Sequence, residues 1–423
     1  MPLKRLRLLQ LGDLHFPTAV KGPRNIDDKD KQFAPEFRNR ISTSALKVVM
    51  RQCSDLIEAR KVSAVLFMGD ATDRGKINGY EDGITYLVEA LQIGGSRTYS
   101  DLPVYVVPGN HDIDRDLAQL PDKNRKFEVL NEFLFKKGIT PFPYDSCKSV
   151  TLPGSEKNFE IHLLNSCIGC GVSDGVPSLF RDEVSAAIER VLDKDPKALE
   201  IYYDRQLDAP AVSDSAIQEL VSVLQSSRAE KVHLIVAHHN LLPQRLTRIA
   251  PYTELINSGS LRATLLEAKQ PTIFLHGHIH DDPVEVVSDP SGKKTISVSA
   301  PELSCGFNII EVVFTSDDMP LAVKIEPWRI GKTGHLSREQ DMTVSLLSHR
   351  RRAQSTISGD VLAEILKQKS VFWGDLMQFC QDLNAKLDEG QLQEELEILM
   401  AERFISVENS DMSSKHWIVR SVI

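Results

Sequence analysis

The sequence predicts an α/β fold in which helices cover a parallel or mixed β-sheet. Three times near the start of the chain, a short apolar strand leads into a polar motif and then into a helical segment. Strands that alternate with helices in this way are typical of sheets whose helices lie outside. The polar motifs place Asp, Asn and His side chains where the strands end, and ligands bind at that edge of open α/β sheets.

The hydrophobic spacing predicts each element in turn. Apolar, β-prone runs predict strands at 6–11, 62–68 and 104–107, and apolar residues at helical spacing predict helices at 41–60 and 80–93. In the rest of the main domain the same patterns predict helices near 122–135, 181–193, 213–226 and 259–268, and strands near 159–164, 232–237, 272–275, 293–299, 308–314 and 322–328.

The length and composition indicate one large domain and a small one. The chain has 423 residues, of which 41% are hydrophobic and 26% are charged, as is ordinary for a globular protein. We expect a main domain over 1–335, a linker over 336–358 and a C-terminal module over 359–423. In the module, three amphipathic helices followed by a hairpin resemble a winged-helix domain in outline.

Charge and cysteine content exclude several classes of protein. The formal net charge is −9, so no overall basic field attracts nucleic acid. Six cysteines in so long a chain do not form a disulfide framework. Cys167 and Cys170 form one C-x-x-C without a second pair, which favours buried or loop thiols over a metal or redox role. No signal peptide and no membrane-spanning apolar run is legible, so a cytoplasmic protein without membrane contact is expected.

Side chains that ligate metals recur at the strand ends. His278 and His280 follow an apolar run, and in an extended backbone positions two apart point to the same face. Asp13 and His15 have the same spacing after the first strand. The full set of candidate metal ligands is Asp13, His15, Asp70, Asn110, His238, His278 and His280. This mixture of oxygen and nitrogen donors suits hard or borderline divalent metals, and its size suits two metals that share a bridging carboxylate. Asp70, on the middle strand, is the natural bridge.

The order of these motifs resembles the calcineurin-like metallophosphoesterase superfamily over roughly residues 5–330. The motifs are Asp-x-His at 13–15, Gly-Asp-x-x-Asp-Arg-Gly at 69–75, Gly-Asn-His-Asp at 109–112, His at 238 and Gly-His-x-His at 277–280. The resemblance implies a β-sandwich flanked by helices, in α-β-β-α layers, with a dinuclear site at the strand ends. One metal would be held by Asp13, His15, Asp70 and His280, and the other by Asp70, Asn110, His238 and His278. Manganese, iron and zinc stay open as the metal, with manganese favoured.

The resemblance also implies three catalytic residues. His111 matches a histidine near the substrate that is not a ligand and that can protonate the leaving oxygen. Asp73 matches the carboxylate that orients this histidine, and Arg74 matches an arginine that contacts phosphate in the protein phosphatases. For Arg74, an exposed loop arginine is an equal alternative. In the pair of histidines at 238–239, His238 matches the family ligand and His239 is expected to lie behind it.

The implied function is hydrolysis of a phosphoester, by a phosphodiesterase or phosphatase with metal-generated hydroxide as the nucleophile. A DNA nuclease of the same superfamily is the enzymatic alternative, and a non-catalytic binding scaffold is the alternative from another class. Residues 353–423 hold twelve acidic and six basic side chains, which argues against nucleic acid as the partner of the C-terminal module. Its surplus of apolar residues predicts that 355–423 contact the main domain, a protein partner or a second copy of the chain.

Overall fold

The computed structural model describes most of the chain. The described residues are 4–16, 45–72, 77–115, 117–120, 122–171, 178–194, 208–228, 231–243, 254–269, 271–280, 283–289, 293–314, 318–331, 334–346, 356–383, 388–410 and 412–422.

The main domain contains short strands and helices that alternate along its first two thirds. Its strands are β1 (Lys4–Leu11), β2 (Ala64–Phe67), β3 (Val104–Val106), β4 (Lys148–Val150), β5 (Phe159–Leu163), β6 (Gly169–Cys170), β7 (Asp208–Ala209), β8 (Val232–Val236), β9 (Thr272–His276), β10 (Val284–Ser288), β11 (Lys294–Ser299), β12 (Gly306–Phe314), β13 (Pro320–Ile330), β14 (Leu336–Arg338) and β15 (Met342–Ser345). Its helices are α1 (Ala45–Glu58), α2 (Ile77–Leu91), α3 (Glu128–Lys136), α4 (Arg181–Leu192), α5 (Asp214–Ser226) and α6 (Ser258–Glu267).

Two large sheets form the centre of this domain. The first has the strand order β14-β13-β12-β1-β2-β3, with β15 also paired to β13, and the second has the order β10-β11-β9-β8-β5-β4. In the first sheet β1, β2 and β3 run parallel, and in the second β5, β8, β9 and β11 run parallel. The carboxyl ends of these parallel strands carry the predicted metal ligands.

Side-chain alternation explains why the two sheets stack. Leu8 of β1 and Leu234 of β8 are buried in one cluster between the sheets. Their neighbours Leu9 and Ile235 point to the opposite faces, where they are buried against the helices, because successive side chains of a strand alternate between its faces. Both faces of each sheet are therefore covered. This architecture confirms the predicted fold class, an α/β sandwich with helices outside.

A buried polar side chain ties the two sheets together next to the strand ends. The side-chain amide of Gln10 in β1 donates to the carbonyl oxygens of His276 (3.3 Å) and Val298 (3.1 Å) in the second sheet. Asn308 donates in turn to the side-chain oxygen of Gln10, at 2.9 Å. These bonds satisfy polar groups in a dry interior and fix the separation of the two sheets beside the predicted metal ligands.

The structure differs from the sequence prediction mainly at sheet edges. Residues 336–346, within the predicted linker, contain β14 and β15, which extend the first sheet by pairing with β13. The edge strands β4 and β10 were also not predicted. In strands of three to five residues with mixed polarity, the alternation of apolar and polar residues is too short to recognise in the sequence. Such strands form because a longer neighbouring strand offers them its hydrogen-bonding edge. Residues 347–355 of the predicted linker lie outside the described residues, and its last three residues, 356–358, already belong to the helix Thr356–Gln368.

The C-terminal module has its own apolar core. Its elements are α7 (Thr356–Gln368), β16 (Ser370–Phe372), α8 (Trp373–Leu383), α9 (Glu389–Ala401), β17 (Ile405–Glu408) and β18 (Ile418–Ser421). The strands form a small antiparallel sheet in the order β16-β18-β17. Among the buried residues are Leu376, Leu396 and Trp417. Three helices and a hairpin are present as predicted, with β16 as an additional strand.

Helix α9 docks the module onto the first sheet. It contacts β13 and β15, and its Ile398 and Ala401 pack against Val313 and Leu321 of the main domain. No helix in the described residues combines the length and apolar character needed to cross a membrane.

A buried ion cluster lies at the centre of this docking contact. The Glu397 side chain in α9 is fully buried, and its Oε1 accepts hydrogen bonds from Arg5 Nη2 (2.9 Å) and Lys324 Nζ (2.7 Å) of the main domain. The side chain of Lys324 is only 9% exposed. Taking these charges out of water is compensated only while both signs are present.

We expect Glu397→Ala to lower the free energy of unfolding by about 3 kcal/mol, because it leaves the Lys324 ammonium buried without its carboxylate. Urea denaturation followed by circular dichroism measures the change. Glu395→Ala, on a partly exposed position of the same helix, is the matched control and should change stability by less than about 1 kcal/mol. Equal losses in the two variants would contradict an energetic role for the buried ion cluster.

Candidate metal centre

The predicted ligands follow the ends of strands, and several of them have an uncommon backbone conformation that sets the direction of the side chain. His15 (φ 47°), Asp70 (φ 55°), His278 (φ 68°) and His280 (φ 54°) all lie in the left-handed region, which residues other than glycine rarely adopt. Such conformations cost free energy and concentrate at functional sites. The spacing of two residues was predicted to act through an extended backbone. The structure instead brings these side chains together through turns that follow the strands.

The first group of predicted ligands comprises Asp13, His15 and His280. Nε2 of His280 lies 3.0 Å from Oδ2 of Asp13 and 3.0 Å from Nε2 of His15. Oδ1 of Asp13 accepts no hydrogen bond from the described residues although the side chain is fully buried. Two imidazole nitrogens and a carboxylate thus face one small volume, which is a cation-binding arrangement.

The second group comprises Asn110, His238 and His278. Oδ1 of Asn110 lies 3.1 Å from Nε2 of His238 and 3.1 Å from Nδ1 of His278. Asn110 opens a single 3₁₀ turn (Asn110–Asp112) directly after the loop that follows β3.

Asp70 lies between the two groups. Its Oδ2 is 3.2 Å from Nε2 of His238 and 4.0 Å from Nε2 of His15. Its other oxygen accepts the backbone N–H of His111 at 2.9 Å. Position 109 must be glycine for this packing, because a Cβ there would overlap Oδ1 of Asp70. The structure therefore places the seven predicted ligands in two adjoining groups that share the Asp70 carboxylate.

Neighbouring groups hold the ligand rings in place. Nδ1 of His238 lies 2.7 Å from the carbonyl oxygen of Met68 and donates its N–H there, so Nε2 is the nitrogen that faces Asp70. Ser166 Oγ accepts the backbone N–H groups of both His238 (3.2 Å) and His239 (3.1 Å). Its distance to Nδ1 of His239 is 2.9 Å. The ring of His239 packs against those of His238 and His278, with centroids 4.8 and 4.5 Å apart, so the choice of His238 as the ligand stays a prediction.

The charges in the site follow from burial and from mutual contact. Burial opposes ionisation of Asp70, but the imidazoles of His238 and His111 outweigh it and hold its pKa well below the usual range. Burial is the main cause that lowers the pKa of His278 to about 3 and also lowers the pKa of His15. At neutral pH these rings are uncharged, which is the form that binds metals.

His238 behaves differently because two carboxylates face it. Burial works against its imidazolium, yet the carboxylates of Asp70 and Asp13 raise its pKa to about 10. A metal ion that binds here must displace this proton, as is usual for metal–histidine binding. The negative charge that favours the imidazolium is the same charge that would favour a metal cation.

His111 adjoins the first group, and one of its ring nitrogens lies within 4.8 Å of donor atoms of His15 and Asp70. Its ring meets the ring of His15 edge to face, with centroids 4.9 Å apart, and is partly exposed. The other predicted catalytic residues, Asp73 and Arg74, lie outside the described residues. The orientation of His111 by Asp73 and the phosphate contact of Arg74 therefore stay predictions.

Two features of the site were missed by sequence reasoning. Ser166 has no motif of its own, although its position just after β5 obeys the strand-end rule that identified the ligands. Asp112 accepts the backbone N–H groups of Thr72 (3.2 Å) and Gly109 (3.0 Å), and so joins the loops that carry Asp70 and Asn110. Burial, together with the charge of Asp70, raises the pKa of Asp112 to about 7. Cys167 and Cys170 are buried free thiols, and Sγ of Cys167 lies 3.9 Å from Nδ1 of His239.

A family model described as calcineurin-like phosphoesterase matches residues 6–282, which is more than half of the chain. The chain belongs to the calcineurin-like phosphoesterase family. The predicted resemblance is thereby confirmed, and the protein is a metal-dependent hydrolase of phosphoesters. No curated protein sequence matches the chain significantly.

Several solved structures are similar to this phosphoesterase in fold. A dimetal phosphatase from Danio rerio is 15% identical, with a TM-score of 0.46 and coverage of 81% of this chain and 99% of that chain. GAP50, the anchor in the inner membrane complex of Plasmodium, is 13% identical, with a TM-score of 0.45 and coverage of 81% of this chain and 90% of that chain. A purple acid phosphatase from yellow lupin seeds is 11% identical, with a TM-score of 0.43 and coverage of 82% of this chain and 55% of that chain. Likeness at this level says nothing about the substrate.

Proposed function

We propose that this protein hydrolyses a phosphodiester or phosphomonoester of a small molecule at a pair of divalent metal ions, with manganese favoured. The observation that carries the proposal is the position of Oδ2 of Asp70, 3.2 Å from Nε2 of His238 and 4.0 Å from Nε2 of His15. One carboxylate that faces two groups of nitrogen and oxygen donors is the arrangement that a bridged pair of metals requires.

The donor set fits such a pair. One metal would be held by Asp13, His15, Asp70 and His280, and the other by Asp70, Asn110, His238 and His278. The uncharged rings of His15 and His278 support this assignment, as does Oδ1 of Asp13, which has no hydrogen-bond partner among the described residues. When bound, a metal pair supplies hydroxide at neutral pH and offsets the negative charge of the phosphoryl oxygens.

The remaining chemistry falls to the protein's own side chains. We assign to His111 the protonation of the leaving oxygen, because its ring adjoins His15 at the partly exposed side of the site. Asp73 would hold His111 in the orientation that this proton transfer needs, and Arg74 would bind a phosphoryl oxygen through its guanidinium.

The C-terminal module weighs against the DNA nuclease alternative. Its third helix, α9, would be the recognition helix of a winged-helix protein, but α9 packs on β13 and β15 and buries Glu397 against Arg5 and Lys324. A helix used in this way does not present its buried face to a DNA groove. The complete donor set weighs against a non-catalytic scaffold.

A hydrolysis screen of the metal-reconstituted protein tests the proposal. The substrates are bis-p-nitrophenyl phosphate, the corresponding monoester, cyclic nucleotides, and single- and double-stranded DNA. We expect turnover of a small ester and little or none of DNA. Preferential cleavage of DNA would favour the nuclease, and full metal occupancy without turnover of any of these substrates would favour the scaffold.

A further inference from the structure

A second group of metal-type ligands lies at the opposite end of the second sheet. Glu160 and His162 are two residues apart in β5, and His233 is the register partner of Glu160 in the parallel strand β8. All three point to the outer face of the sheet, since their neighbours Ile161 and Leu234 are buried between the sheets. We call these three residues the Glu160 cluster. His233 precedes His238 by five residues, which is about 16 Å of chain at 3.3 Å per residue.

Three atoms of the Glu160 cluster form a triangle of the size that a metal ion requires. Nε2 of His162 lies 2.8 Å from Nδ1 of His233. Oε2 of Glu160 lies 3.9 Å from the first nitrogen and 3.8 Å from the second. The point equidistant from all three atoms is about 2.1 Å from each, which equals the usual Zn–N and Zn–O bond lengths.

The outer nitrogens of both rings are already fixed by serine hydroxyls. Nδ1 of His162 is 2.8 Å from Oγ of Ser149, and Nε2 of His233 is 2.8 Å from Oγ of Ser227. Metal-binding histidines characteristically donate their second N–H to such a partner, which sets the tautomer and directs the other lone pair at the metal. Burial is the main cause that lowers the pKa of His162 to about 3 and of His233 to about 4, so both rings are neutral at pH 7.

The Glu160 cluster also has an entry path. Glu160 lines an open cleft together with Lys157, Ser227, Arg228 and Lys231. Of the three residues only Glu160 lines this cleft, with its side chain 15% exposed, whereas the side chains of His162 and His233 are buried, at 0% and 2%. Glu160 is thus the side through which an ion and its water ligand reach the buried nitrogens, and three protein ligands with one water make up the usual set of an open zinc site.

Lys231 is the competing cation. Its Nζ lies 3.1 Å from Oε2 of Glu160, and its side chain is 17% exposed at the wall of the cleft. A metal bound to the Glu160 cluster would repel this ammonium toward the cleft, so Lys231 weakens metal binding rather than preventing it.

We propose that Glu160, His162 and His233 form a mononuclear zinc site with water as the fourth ligand, separate from the dinuclear centre. The ligand set of two imidazoles and one carboxylate is characteristic of zinc sites with an open position. In this site the ion replaces the proton shared between the two rings, and it cross-links β5 to β8.

Zinc binding is measured on the full chain carrying Asp70→Asn and His278→Ala, which removes competition from the dinuclear centre. Equilibrium dialysis with zinc and the visible absorption of bound Co²⁺ report occupancy without any need for activity. We expect one ion per chain. Glu160→Gln should weaken binding by about tenfold or more, and His162→Phe should abolish it. Lys231→Met should tighten it by about tenfold, and Lys157→Met is the matched control that leaves it unchanged.

Two results would overturn the site. One is the absence of bound zinc or cobalt in the Asp70→Asn/His278→Ala chain, which would leave the two rings as a hydrogen-bonded pair between Ser149 and Ser227. The other is binding that is the same with and without Glu160→Gln and Lys231→Met. Both of these variants retain the buried histidines, so they test the proposed zinc site even if His162→Phe does not fold.

Discussion

Asp70→Asn is expected to abolish hydrolysis and to empty both metal positions together. The Asp70 carboxylate faces His238 in one ligand group and His15 in the other, at 3.2 and 4.0 Å. An amide carries no negative charge and can offer only one oxygen, so neither a bridge nor the charge balance of two divalent ions survives. His278→Ala should act in the same direction by removing a ligand of the second metal.

Elemental analysis of the purified variants measures the loss, alongside turnover of bis-p-nitrophenyl phosphate. Asp114→Asn is the matched control, since its carboxylate accepts the backbone N–H of Leu117 and belongs to neither ligand group. The control should keep both metals and its activity. Two metals per chain in Asp70→Asn would show that Asp70 is not a bridge.

The strands that carry the site could be predicted because each one is encoded by a short, continuous stretch of sequence. The buried strands β2, β8 and β9 are apolar runs that end in Asp or His, and parallel strands bring such ends to one edge. Sequence order alone therefore grouped residues as distant as Asp13 and His280, whose side chains lie 3.0 Å apart.

The way in which the ligands converge could not be predicted from spacing. Positions two apart were expected to share a face of an extended strand, but His15, His278 and His280 have φ between 47° and 68°. That conformation is imposed by tertiary contacts. Leu14 and His15, for example, both donate their backbone N–H groups to the carbonyl oxygen of Asp70 at 2.9 Å. A sequence pattern records which residues are present, whereas the turn depends on partners more than fifty positions away.

The docking of the C-terminal module could likewise be predicted only in part from the sequence. Its apolar surplus predicted a contact and left the main domain, a protein partner and a second copy as candidates. What selects the main domain is the burial of Glu397 between Arg5 and Lys324. Each of these charges is unremarkable in sequence, and their pairing appears only when the two ends of the chain are brought together.

His111→Ala is expected to keep both metals and to lower kcat by roughly 10²–10⁴-fold, the usual effect of losing an acid–base group. The metals should stay because His111 supports Asp70 through its backbone N–H, which donates to Oδ1 at 2.9 Å and is retained in alanine. Only the imidazole is lost, whose ring centroid lies 4.9 Å from that of His15 and which the family resemblance does not count among the ligands.

The dependence on the leaving group separates proton transfer from a structural role. An ester with a poor leaving group, such as an alkyl alcohol, needs a proton from the enzyme, whereas p-nitrophenolate leaves largely without one. His111→Ala should therefore lose far more activity on the alkyl ester than on the p-nitrophenyl ester, while His335→Ala, at an exposed histidine, should lose neither. An equal loss on both esters, with both metals still bound, would assign His111 to binding or orientation. Unchanged turnover of the alkyl ester would remove it from catalysis.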